Sequence, residues 1–158
     1  VRERRLAILI AVGIGLHNLA EGLAIGHSAA AGELALAIPL VIGFALHNAT
    51  EGFGIVAPLN AARATGEVPE RPGWPFLIGL GLIGGAPTLL GTIIGFGVTN
   101  EAVSSLLMAL AAGSILYVIV QLVGVAARVR RNDLVMAGIT IGLLAGFATD
   151  AVVVAAGA

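Results

Sequence analysis

The chain reads as long apolar runs separated by short polar breaks. Predominantly hydrophobic stretches cover about 6–31, 34–60, 75–98, 102–127 and 134–157, each at or above the ~20 residues a helix needs to cross ~30 Å of hydrocarbon. The pattern predicts an all-α fold, a polytopic transmembrane bundle of five spans in a single domain over residues 1–158. The first run exceeds the 7 to 15 residues of a signal-peptide core and contains His17, Asn18 and Glu21, so it is expected to remain in the mature protein.

Composition strengthens this reading. The chain is 58% hydrophobic and 11% charged, with a mean hydropathy of +1.04, where an ordinary soluble domain carries roughly 25% charged residues. Its 23 glycines and 4% aromatics suit helices that approach one another closely in lipid. A net charge of −1 leaves no basic excess for nucleic acid, which is excluded as a partner. With no cysteine, thiolate chemistry is absent and any metal must use nitrogen and oxygen donors.

The polar breaks settle the expected orientation. Arg2, Arg4 and Arg5 precede the first span, Arg63 and Arg71 follow the second, and Arg128, Arg130 and Arg131 follow the fourth, so every arginine falls on one side. The other side carries Glu33 and Glu101 in short turns. The positive-inside rule then places the N-terminus in the cytoplasm and the C-terminus outside, in a plasma or inner membrane. The connection over about 61–74, rich in Arg, Glu, Pro and Gly, reads as a solvated cytoplasmic loop, with Trp74 at the level of an aromatic belt.

Glycines repeat every four residues at Gly22/Gly26, Gly91/Gly95 and Gly138/Gly142/Gly146, and each set reads as a packing face. Pro87 follows Gly84 and Gly85 inside the third run, which predicts a kink or local opening there.

Polar residues interrupt the first two spans in a repeat offset by 30 residues. Leu16-His17-Asn18-Leu19-Ala20-Glu21-Gly22 and Leu46-His47-Asn48-Ala49-Thr50-Glu51-Gly52 both read LHNxxEG. His17 and His47 begin roughly 17 and 20 Å into their spans, near the bilayer middle. Within each copy His and Glu are four apart and share a helical face, while the adjacent Asn is rotated by ~100° toward a neighbouring helix. Two antiparallel spans joined by a short turn can bring His17, Glu21, His47 and Glu51 to one point.

Energy sharpens the reading. A carboxylate at mid-span costs about 2.5 to 3.5 kcal/mol even on the lenient insertion scale, and a divalent cation offsets this for both glutamates. Imidazole mixed with carboxylate suits Zn²⁺ or Fe²⁺, whereas a Ca²⁺ or Mg²⁺ cage would need no histidine. The alternative is that His and Glu pair with each other and only hold the bundle together. Asn18 and Asn48 are read either as further metal ligands or as hydrogen-bonding groups between helices.

At these residues the sequence resembles the ZIP (Zrt/Irt-like protein) family of divalent metal transporters, over the whole chain. The resemblance maps His17, Asn18, Glu21 and Gly22 to the family's fourth helix and His47, Asn48, Glu51 and Gly52 to its fifth, the helices that supply a binuclear metal centre. It implies a chain corresponding to helices four to eight of an eight-helix fold, with three preceding helices absent and Val1 cut from the middle of a longer protein. It implies metal import toward the cytoplasm, zinc or a related divalent transition metal being the transported substrate. Two places depart from the family pattern: Ala86 stands before Pro87 where many members carry a bridging glutamate, and Gln121 stands where relatives often carry acidic or His ligands.

Lesser candidates are His27 as an entrance ligand, Asp150 as an acid facing the bundle or an outer vestibule, Ser104, Ser105 and Ser114 as packing residues with back-bonded hydroxyls, and Tyr117 with Gln121 as second partners of the site. The function expected is transport of a divalent metal, not an enzymatic reaction. The rival readings are an intramembrane metallohydrolase, disfavoured because the chain lacks HExxH, and a metal-binding bundle that does not conduct. The partners named are the metal ion, the lipid bilayer and the family's preceding helices, with room for a homodimer.

Overall fold

The computed structural model describes residues 2–64, 71–97, 100–129 and 131–155. They form five α-helices: α1 (Arg2–Ala30), α2 (Leu34–Ala64), α3 (Trp74–Gly95), α4 (Glu101–Val129) and α5 (Asn132–Ala155). All five contain stretches long and apolar enough to cross a membrane, and no strand occurs among the described residues. The all-α membrane bundle expected from the hydrophobic pattern is the observed fold.

Local chemistry explains where the helices start and stop. α1 ends in a left-handed glycine, Gly32 with φ 79°, and the two reversed bonds of a Schellman turn, Glu33 N–H to Ser28 O at 2.9 Å and Gly32 N–H to Ala29 O at 3.1 Å. That turn reverses the chain within a few residues and makes α2 antiparallel to α1. α3 opens with Pro75 in its first turn after Gly73, a position whose missing N–H costs nothing. At the head of α4, Asn100 Oδ1 accepts from the N–H groups of Ala102 and Val103 at 3.0 and 3.2 Å, an N-cap. α2 continues through Ala64, and residues 65–70 of the connection read as a cytoplasmic loop lie outside the described residues.

α1 is the central helix, in contact with α2, α3 and α4. Its first half, with Ala7, Ile10, Ala11 and Ile14, buries against Ile55 and Leu59 of α2, Leu80 of α3 and Val118 of α4. Its second half meets α3 with almost no side chain between the backbones. A Cβ on Gly22 or Gly26 would collide with the carbonyls of Thr88 or Thr92, and one on Gly91 or Gly95 with those of Leu19 or Leu23. Two of the three glycine stripes are therefore halves of one contact, the close approach that small residues allow. The third differs: a Cβ on Gly138, Gly142 or Gly146 meets nothing within 4 Å, since α5 packs mainly on α2 and its glycine face is uncovered among the described residues.

α3 remains helical through Pro87, so the local opening expected there does not occur. Proline removes the donor that would have bonded the Ile83 carbonyl, and that carbonyl instead lies against Gly15 of α1. Neighbouring backbone covers the interruption.

Candidate metal centre

α1 and α2 each carry their LHNxxEG copy inside the helix, and the 3.6-residue turn aligns His with Glu one turn later. His17 Nε2 lies 3.5 Å from Glu21 Oε1, and His47 Nε2 lies 3.4 Å from Glu51 Oε1. The two copies meet: His47 Nε2 is 3.8 Å from Glu21 Oε1, and the imidazole centroids are 6.1 Å apart. Donor atoms of His17, Glu21 and His47 all fall within 4.8 Å of one another, a group able to hold a metal ion. Glu51 approaches the same His47 Nε2 through its Oε1.

These separations discriminate between two kinds of interaction. A good N–H···O hydrogen bond spans about 2.7 to 3.2 Å. Two ligands of a tetrahedral ion with bonds of about 2.1 Å stand about 3.4 Å apart. The 3.4 and 3.5 Å separations lie near the second spacing, and the 3.8 Å separation is wider than either.

Unsatisfied oxygens point the same way. Glu21 Oε2, Glu51 Oε1, Asn18 Oδ1 and Asn48 Oδ1 are buried without a hydrogen-bond partner, as is His17 Nδ1. Leaving buried polar atoms unpaired costs about 1 to 3 kcal/mol each. Four of the five are acceptors, and a cation satisfies acceptors.

The asparagines turn toward α3, as a 100° rotation from each His requires. Asn18 Nδ2 donates to Glu51 Oε2 and to the Gly84 carbonyl, both at 3.0 Å. Asn48 Nδ2 is 3.5 Å from Thr88 Oγ1, at the outer limit of a hydrogen bond. Asn18 and Glu21 are 1% and 7% exposed, whereas the His47 side chain is 45% exposed, so the site is closed on the α1–α3 side and open beyond α2.

Thr88 is a member of the site that the sequence analysis did not single out. Its hydroxyl faces Asn48 and its carbonyl accepts from Thr92 Oγ1 at 2.9 Å. A hydroxyl directly after Pro87, in mid-span, was the available signal. Ala86, directly before Pro87, is exposed.

The lesser candidates separate. His27 is exposed in the last turn of α1, near the opposite end from Arg2 and Arg5. Ser114 Oγ bonds back to the Ala111 carbonyl at 2.7 Å, as expected. Tyr117 and Gln121 form no hydrogen bond with the site among the described residues; they line a groove between α1 and α4. The side chains of Asp150 and Ser104 lie outside the described residues.

The fold is that of a polytopic membrane protein, with imidazole and carboxylate side chains of α1 and α2 grouped closely enough to hold a metal ion. A family model described as ZIP Zinc transporter matches residues 1–153, essentially the whole chain, and the protein belongs to that family of divalent metal transporters. It is a family of transporters, not of enzymes. No curated protein and no solved structure matches the chain.

Proposed function

We propose that this protein carries Zn²⁺, or a closely related divalent transition metal, across the membrane into the cytoplasm, with His17, Glu21, His47 and Glu51 as the ligands of the moving ion. The observation that carries this reading is the convergence of His17, Glu21 and His47 from two helices at ligand spacing, beside buried oxygens with no partner. Donors of this type suit borderline first-row ions. Asn18 positions Glu51 and, with Asn48, offers a neutral oxygen to the ion or to a second one.

Hydrated metal enters from the end bearing Glu33 and His27, gives up water to the four ligands, and leaves toward the arginine-bearing end. Import is what the family resemblance implies, and the one-sided arginines support reading the arginine-bearing end as the cytoplasmic one.

Release requires the ligation to weaken. The ligand set is divided between two bodies: His17 and Glu21 stand on α1, which is locked to α3 by direct backbone contact, while His47 and Glu51 stand on α2. A small displacement of α2 against the α1–α3 pair splits the site, in the manner of rocking around a midplane site. Protonation of a ligand acts in the same sense, since these groups bind metal only when deprotonated.

The test is zinc uptake into proteoliposomes holding the full-length protein. Glu21→Ala and Glu51→Ala are each expected to abolish uptake, and undiminished uptake in both variants refutes the ligand assignment. Parallel measurements with Fe²⁺, Mn²⁺ and Cd²⁺ rank the ions.

A further inference from the structure

Five threonines lie in the described helices, and four spend their hydroxyls on their own backbone. Thr50, Thr92, Thr140 and Thr149 each donate to a carbonyl three or four residues earlier, at 2.7 to 2.9 Å, a common use of threonine inside a helix. Thr88 differs. Its Oγ1 is turned to Asn48 Nδ2 of α2, 3.5 Å away, and among the described residues no carbonyl receives its proton.

The carbonyl that a back-bonded Thr88 would use is that of Gly84, one turn earlier, and Asn18 Nδ2 donates to it at 3.0 Å. α3 therefore offers one acceptor to each asparagine of the LHNxxEG repeat: the Gly84 carbonyl to Asn18 and the Thr88 hydroxyl to Asn48. Both amide nitrogens face α3. Both amide oxygens, Asn18 Oδ1 and Asn48 Oδ1, are buried without a hydrogen-bond partner.

The two ends of a carboxamide have opposite meaning for a cation. Oδ1 is a neutral oxygen ligand, whereas Nδ2 carries two N–H donors and repels the ion. At 3.5 Å the contact between Asn48 and Thr88 is longer than the about 2.7 to 3.2 Å of a good hydrogen bond. It is too weak to hold α2 against α3 by strength. What it supplies is direction, because Thr88 is the one hydrogen-bond partner of the Asn48 side chain among the described residues.

We infer that Thr88 is a positioning residue and a determinant of metal preference: its hydroxyl keeps the amide nitrogen of Asn48 on α3 and leaves Oδ1 as the end available to the ion. The inference rests on the reading of His17, Glu21, His47 and Glu51 as metal ligands, and concerns the oxygen donor that α3 adds beside them. Thr88 acts through Asn48 and need not touch the ion. Carbonyl oxygen suits Mn²⁺ more than Zn²⁺, which imidazole already serves. Loss of control over Asn48 therefore costs Mn²⁺ more than Zn²⁺.

The experiment is isothermal titration calorimetry of the purified full-length protein with Zn²⁺ and, separately, with Mn²⁺, and the quantity read is the ratio of the two affinities. Thr88→Val keeps the branched shape and removes the hydroxyl. Mn²⁺ affinity is expected to fall about tenfold, the lower end for loss of a group that orients a ligand, and Zn²⁺ affinity about threefold. Thr88→Ala, run in case valine disturbs the packing, should shift the ratio in the same sense, and Thr88→Ser should restore it. Asn48→Ala should shift the ratio at least as far, and adding Thr88→Val to Asn48→Ala should cost nothing more, since two residues that act through one contact are not additive. Thr140→Val, which removes a hydroxyl bonded to its own helix, should leave the ratio unchanged.

An unchanged ratio in both Thr88→Val and Thr88→Ala overturns the proposal, as does a failure of serine to restore it, a loss that multiplies in the double variant, or a wild type that binds zinc but no Mn²⁺. Glu21→Ala separates this failure from that of the underlying reading. Zinc binding that survives Glu21→Ala removes the ligand assignment and this proposal with it, whereas binding lost in Glu21→Ala beside an unchanged ratio in the Thr88 variants refutes the role of Thr88 alone.

Discussion

Asn18 ties Glu51 to the third helix: its amide nitrogen donates both to Glu51 Oε2 and to the Gly84 carbonyl, each at 3.0 Å. One side chain thus couples a residue of each LHNxxEG copy to a backbone group of α3. Asn18→Ala removes this support and leaves Glu51 free to rotate. Loss of a group that orients a metal ligand typically costs 10- to 100-fold in affinity. A rise of about that size is expected in the zinc concentration for half-maximal uptake, and an unchanged value would mean that Asn18 has no part in placing Glu51.

Glu21 is the residue that touches both imidazoles. Glu21→Gln keeps the shape and removes the charge. If the carboxylate serves the ion, zinc uptake should fall at least about tenfold while the metal-free protein keeps or gains stability, because a buried charge is costly without a cation. If His and Glu only glue the helices, the thermal midpoint should drop instead. Uptake and melting of the same variant separate the two cases.

Zinc should stabilise the purified protein in proportion to its occupancy. At a free concentration of about 100 times Kd, linkage predicts about 2.7 kcal/mol. Calcium, which prefers an all-oxygen shell, should give little or none at equal concentration. A thermal-shift titration checks this, and the zinc shift should vanish when Glu21 and Glu51 are both changed to Gln.

The same substitution should have opposite signs at two glycines of α3. Gly91→Ala drives a Cβ into the Leu19 carbonyl of α1, whereas Gly81→Ala enters open space. Overpacking of a close contact costs about 1 to 3 kcal/mol, and relief of helical glycine returns about 0.5 to 1 kcal/mol. Melting in detergent should show Gly91→Ala destabilised and Gly81→Ala unchanged or slightly raised. Equal effects would mean that the α1–α3 contact does not depend on its glycines.

Much of the molecule was legible in one dimension. Five apolar runs of spanning length predict five helices because hydrocarbon thickness is a length, and length is counted directly along a chain. The duplicated His, Asn and Glu stood out because ionisable groups are rare at mid-span. Their four-residue spacing predicts a shared face on each helix, and the 3.5 and 3.4 Å separations within the two copies follow from it.

Other features depended on which helices became neighbours. The stripe Gly22/Gly26 and the stripe Gly91/Gly95 look identical in sequence to Gly138/Gly142/Gly146, yet only the first two meet one another. Nothing local distinguished Thr88 as the partner of Asn48, the Gly84 carbonyl as an anchor for Asn18, or Gln121 as part of a basic groove away from the metal. The physical reason is range. Periodicity along one helix sets the direction in which each side chain projects, whereas a contact also needs the separation and rotation of a second helix, and these are settled by the packing of the whole bundle.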